Sequence, residues 1–169
     1  MLPDPPPPDI VRLAATLNNP PAVKWVLVGG MALTLWGGDH RTGDADMMID
    51  FDPENIERLV LALRQLRAKP LRAPSYDPDM IDRKLLSLPF VQLDTDAGRV
   101  DLINRTGEGT SYGEIFASAE CFDLGGQQVW VASLESLEKM ETGTPRTKDV
   151  LQLNQIQALI VERSRTQDG

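Results

Sequence analysis

The stretch GGMALTLWGGDHRTGDADMMID, from Gly29 to Asp50, carries two glycine pairs and four aspartates in 22 residues. A purely structural segment has little use for so many acids. The preceding KWVLV, Lys24 to Val28, is short, apolar and partly β-branched, and Gly29-Gly30 directly after it marks a strand-to-helix turn. Met31 to Trp36 then reads as a short helix ended by Gly37-Gly38. From Asp44 to Phe51 the pattern alternates, with Asp44, Asp46, Met48 and Asp50 on one face and Ala45, Met47, Ile49 and Phe51 on the other. This predicts a strand with an acidic face.

Outward from this stretch the elements follow by the same logic. Residues 1–8 are a proline-rich lead that cannot be helical, and Asp9 is placed to cap a helix through Leu17. Asp52-Pro53 supplies a cap and a first-turn proline for a helix to about Arg67, with Ile56, Leu59, Val60, Leu63 and Leu66 as its buried stripe. Pro70 to Pro89 reads as a long loop. Phe90–Thr95 and Arg99–Ile103 form a hairpin around Asp96-Ala97-Gly98. A helix over Ser111–Ala119, two extended pieces within Cys121–Val131 around Gly125-Gly126, and helices over Leu134–Met140 and Thr147–Arg163 complete the chain. The expected class is α/β (α+β), a mixed sheet flanked by helices. It forms one domain with a lead and short helix at 1–21, a core at 22–131 and a C-terminal helical segment at 132–169.

With 169 residues, 41% of them hydrophobic, the chain can bury one ordinary core. A net charge of −8 removes the general electrostatic footprint of a nucleic-acid binder, and no DNA duplex is expected as a partner. Cys121 and His40 stand alone in their residue types, which excludes an intramolecular disulfide and a Cys/His zinc centre. No run approaches the roughly 18 apolar residues of a membrane span, so no membrane association and a cytoplasmic location are expected.

The aspartates are the chemical question. At a strand rise of about 3.3 Å per residue, Asp44 and Asp46 lie roughly 7 Å apart along the chain and point to the same side. Two like charges on one face are disfavoured unless a cation sits between them. Asp101, in GRVDLIN, is the one acid in an otherwise apolar strand-like run. If its strand lies beside that of Asp44 and Asp46, three carboxylates converge on Mg²⁺, in a geometry suited to two metals about 3.5–4 Å apart. A helix starting at Gly29-Gly30 offers backbone N–H groups to an anion, and glycine lets a phosphate approach closely.

Arg41 and Thr42 stand just before the acidic strand, near where phosphates would lie, and Thr42 is as well placed to fix the loop as to touch ligand. Lys148 and Arg146 lie where cations oppose the dipole of a helix start, which favours a functional reason for them. Asp50 is roughly 13 Å along the strand from Asp46, too far to share one ion, and Asp52 is explained as a cap. His40 reads as a solvated loop residue and Cys121 as a small buried apolar group. Arg64, Arg67, Lys69 and Arg72 form the one basic cluster that could meet an RNA acceptor, and a solvated helix end explains them equally well.

The order V-G-G, short helix, R-T-G-D-A-D-M-M-I and later V-D-L-I resembles the nucleotidyltransferase superfamily of DNA polymerase beta. It is most similar to small bacterial members, including the nucleotidyltransferase toxins of abortive-infection and toxin–antitoxin systems. The C-terminal LESLEKMETGTPRTKD is also similar, so the resemblance spans most of residues 25–153. It implies a mixed-sheet core and transfer of a nucleoside monophosphate from Mg²⁺-bound NTP, such as ATP, to an acceptor: RNA or tRNA, a protein hydroxyl or a small molecule. It further implies Gly29 and Gly30 as the phosphate-binding turn, Asp44 and Asp46 as metal ligands, and Asp101 as the carboxylate that activates the acceptor. Arg41, Thr42 and Lys148 are the expected nucleotide contacts, and a cognate antitoxin is a possible partner. Glu141 departs from the pattern, because relatives often carry lysine near that position. A non-catalytic nucleotide-binding sensor or complex partner is the alternative reading.

Overall fold

The computed structural model describes residues 5–39, 42–104, 110–141 and 147–167, without the side chains of 141–153. Its elements run α1 (Ile10–Asn18), β1 (Trp25–Val28), α2 (Gly29–Leu35), β2 (Asp44–Ile49), α3 (Pro53–Gln65), β3 (Lys69–Pro70), a 3₁₀ turn (Pro78–Met80), α4 (Arg83–Leu86), β4 (Phe90–Thr95), β5 (Gly98–Ile103), α5 (Tyr112–Ala117), β6 (Glu120–Leu124), β7 (Gln127–Val131), α6 (Leu134–Glu141) and α7 (Thr147–Gln167). The sheet order is β3-β4-β5-β2-β1-β7-β6. Pairing is parallel for β2 with β5 and for β1 with β7, and antiparallel elsewhere, so the sheet is mixed as expected.

The helix starts follow their caps. Asp9 accepts from Arg12 N–H, Asp52 accepts from Glu54 N–H, and Pro53 fills the first turn of α3, where a missing N–H costs nothing. Leu13, Ala14 and Leu17 of α1 join Ile56, Leu59 and Leu63 of α3 in the core. In the sheet, the rows Leu27–Met47–Leu102–Val91 and Ala45–Val100–Leu93 stand on the buried face. Asn55, 1% exposed, ties the layers together: its Oδ1 accepts from Lys24 N–H at 2.7 Å, and its Nδ2 donates to the carbonyls of Lys24 and Asp50 at 3.1 and 2.7 Å.

Four expectations need correction. The 70–89 segment is not structureless: it opens on β3 and holds the 3₁₀ turn and α4, whose caps Asp77 and Asp82 accept from Asp79 and Leu85 N–H. Gly98 belongs to β5, leaving Asp96-Ala97 as a two-residue hairpin loop. Met48 is fully buried on the nominally acidic face, where it stands beside Val26 of β1, so the solvated part of that face ends at Asp46. Cys121 is exposed, because β6 is an edge strand with little covering it.

Candidate active site

The carboxylates meet at one end of the two central strands. β2 and β5 run parallel with Asp46 directly beside Asp101, and period-2 alternation puts Asp44 on the same face. Asp44, Asp46 and Asp101 each offer an oxygen within 4.8 Å of the others. Asp101 is 7% exposed, while Asp44 and Asp46 are half-buried. Burial pushes the Asp101 carboxyl up to about 7, reinforced by its hydrogen bond to Asp44 and the repulsion of that carboxylate; bonds from Gln92 and Asp46 work the other way. A buried acid holding its proton against a second acid is short of positive charge. The all-oxygen donor set suits a hard divalent cation.

Gly29 presses on the same cluster. Its φ is +70°, and an added Cβ would fall 2.2 Å from Asp46 Oδ2, so both the backbone turn and the close approach require glycine here. α2 starts at this residue, and its N-cap, Val28, makes no side-chain capping bond. Gly30 is buried in the first turn, with its carbonyl accepting from the Thr34 hydroxyl. Thr42 Oγ1 sits 2.8 Å from the Asp44 carbonyl and 3.1 Å from Asp44 Oδ1, and accepts from Asp44 N–H at 3.4 Å. In this structure Thr42 fixes the first aspartate. His40, Arg41, Arg146 and the side chains of Glu141 and Lys148 lie outside the described residues.

In the basic cluster, Arg64 donates to the Ile81 carbonyl at 2.9 Å and Lys69 to the Pro74 carbonyl at 3.1 Å. Those two cations brace the 70–89 segment. Arg67 and Arg72 are exposed, both at positive φ. Asp50 accepts from Asp52 N–H, and both stay outside the carboxylate cluster.

Gln92, absent from the expectations, lies opposite Asp101 across the β4–β5 ladder. Its signal was the hairpin loop length: a two-residue loop pairs Thr95 with Gly98 and therefore Gln92 with Asp101, whereas a three-residue loop would have put Leu93 there.

No protein-family model matches the chain, and no curated protein matches it. Solved structures do. A Thermotoga maritima protein assigned as a nucleotidyltransferase superposes with a TM-score of 0.51 at 16% identity, over 95% of this chain and 91% of that one. ANT(2'')-Ia in complex with adenylyl-2''-tobramycin gives 0.54 at 13% identity, over 95% and 97%. The chain has the nucleotidyltransferase fold. The lincosamide antibiotic adenylyltransferase LnuA, bound to lincomycin, gives 0.54 at 12% identity over 89% and 93% of the two chains. Identities this low speak to the fold alone. For this nucleotidyltransferase-fold protein, the family resemblance of the sequence and the architecture of the sheet agree. Among its described residues, no helix is long and apolar enough to cross a membrane.

Proposed function

We propose that the protein is a Mg²⁺-dependent nucleotidyltransferase that moves a nucleoside monophosphate from an NTP to a hydroxyl of an acceptor. The observation that carries this reading is the convergence of Asp44, Asp46 and Asp101 beside the Gly29 turn, on a fold shared with adenylyltransferases. Asp44 and Asp46 would hold the ion with Asp101, and Mg²⁺ when bound would neutralise charge on the triphosphate oxygens. The amides at Gly29 and Gly30 face the phosphates in this reading, with Arg41, Thr42 and Lys148 as the further nucleotide contacts.

Asp101 accepts the proton of the acceptor hydroxyl as that oxygen bonds to the α-phosphorus. The bond from the α-phosphorus to the bridging oxygen breaks, and pyrophosphate leaves. A carboxyl that is only partly ionised near neutral pH when the site is empty becomes the carboxylate this step needs once positive charge arrives beside it.

A hydroxyl-bearing small molecule is the acceptor class best supported. A net charge of −8 disfavours a polyanion, and two structurally similar proteins are an adenylyltransferase bound to lincomycin and ANT(2'')-Ia bound to an adenylylated tobramycin. The RNA acceptor and the antitoxin partner rest on the sequence resemblance.

Incubation with Mg²⁺ and ATP labelled on the α-phosphate, separately with tobramycin, lincomycin and unfractionated tRNA, tests the proposal. Transfer of label to one acceptor by the wild type and not by Asp46→Asn is the expected result. Label transfer that persists in Asp46→Asn would sink the mechanism. Transfer to tRNA alone would move the acceptor class to RNA.

A further inference from the structure

Gln92 is exposed on β4 and stands opposite Asp101 on β5. Leu71 N–H donates to the Gln92 carbonyl at 2.9 Å, so the backbone polar groups of Gln92 point away from β5 and toward β3. Gln92 and Asp101 therefore form a non-hydrogen-bonded antiparallel pair, the kind in which facing Cα atoms are only about 4.5 Å apart and side chains are closest. The neighbouring pair of the same kind, Asp94 with Arg99, has its side chains joined at 3.6 Å, which shows how near this register brings them. At Gln92 the ladder brings a neutral amide donor to a carboxyl that already has two acids, Asp44 and Asp46, around it.

We propose that Gln92 is a positioning residue whose carboxamide N–H group holds one oxygen of Asp101, aiming the other into the cluster shared with Asp44 and Asp46. This rests on the reading of that cluster as a cation site. An amide suits the task because it donates without adding charge: a lysine would compete with the cation, and an acid would add repulsion.

The test uses Mn²⁺ alone as the probe, titrated calorimetrically into the wild type, Gln92→Met and Gln92→Ala, with melting temperatures measured in chelator. Methionine keeps the length and neutrality of glutamine and removes the donor. Both variants are expected to bind Mn²⁺ about tenfold or more weakly while their metal-free melting temperatures fall by no more than about 4 °C, the cost of one lost hydrogen bond. Equal Mn²⁺ affinity in wild type and variants would overturn the role of Gln92 alone. Melting temperatures that fall in step with affinity would overturn it in favour of a purely structural pair. A wild type that binds no Mn²⁺ would overturn the cation-site reading itself, and this inference with it.

Discussion

Removing the charge from Asp101 should make the metal-free protein more stable above neutral pH. Its carboxyl is raised from 3.8 to about 7 in the fold, chiefly by burial, so between these values the folded chain holds a proton that the unfolded chain has lost. Stability must then fall as pH rises through that window and level off above it. Each pK unit corresponds to about 1.4 kcal/mol, which sets a ceiling of about 4 kcal/mol for this one group. Relaxation and water entry lower the figure, and about 2–4 kcal/mol is the working range. In a chain of this size that is roughly 4–16 °C in melting temperature. The assay is a comparison of wild type and Asp101→Asn by thermal unfolding in chelator from pH 4 to 8. The variant should gain on the wild type steadily with pH, because the groups outside the carboxylate cluster titrate alike in both. Excess Mg²⁺ should rescue the wild type above pH 6 and leave the variant nearly unmoved. A wild-type-minus-variant difference that stays constant from pH 4 to 8 would refute the burial argument.

Three further outcomes follow from the packing around the cluster. Gly29→Ala forces a side chain into the left-handed region, at about 1–2 kcal/mol, and into Asp46 Oδ2; calorimetry with Mg²⁺ should show binding lost, alongside a lower melting temperature. Thr42→Val frees the Asp44 carboxylate and should weaken Mn²⁺ affinity severalfold with a stability loss of about 1 kcal/mol or less, read from paired titration and denaturant curves. Asn55→Ala strands Lys24 and Asp50 backbone groups and should cost about 2–3 kcal/mol in urea unfolding while leaving Mn²⁺ affinity unchanged, because Asn55 serves the frame and not the cluster.

The local code was legible wherever one residue type had one job. Asp9 and Asp52 announced helices α1 and α3, the apolar run before Gly29 announced β1, and alternation from Asp44 placed two carboxylates on one face. Long-range pairing was legible only as a condition, that the strand of Asp101 should lie beside that of Asp44 and Asp46, and the β2–β5 register meets it. What escaped depended on single-residue offsets or on tertiary cover. Assigning Gly98 to the hairpin loop shifted the register by one and hid Gln92, since a one-residue slip turns every side chain to the other face. Met48 alternates correctly along its strand, yet burial of both faces at that level makes the acidic face shorter than the pattern suggests. The short α4 escaped because four residues carry too little periodicity to register, although Asp82 marked its start. Cys121 followed its usual preference for burial only until its strand proved to be an edge.

The central claim is that the three carboxylates form a site for a metal-bound nucleotide. Calorimetric titration of Mg²⁺ with a non-hydrolysable ATP analogue, into the wild type and into the Asp44→Asn/Asp46→Asn double variant, addresses it most directly. The account predicts saturable binding by the wild type that requires Mg²⁺ and vanishes in a double variant that remains folded. Binding that survives in the double variant, or a folded wild type that binds no nucleotide with Mg²⁺ present, would contradict it.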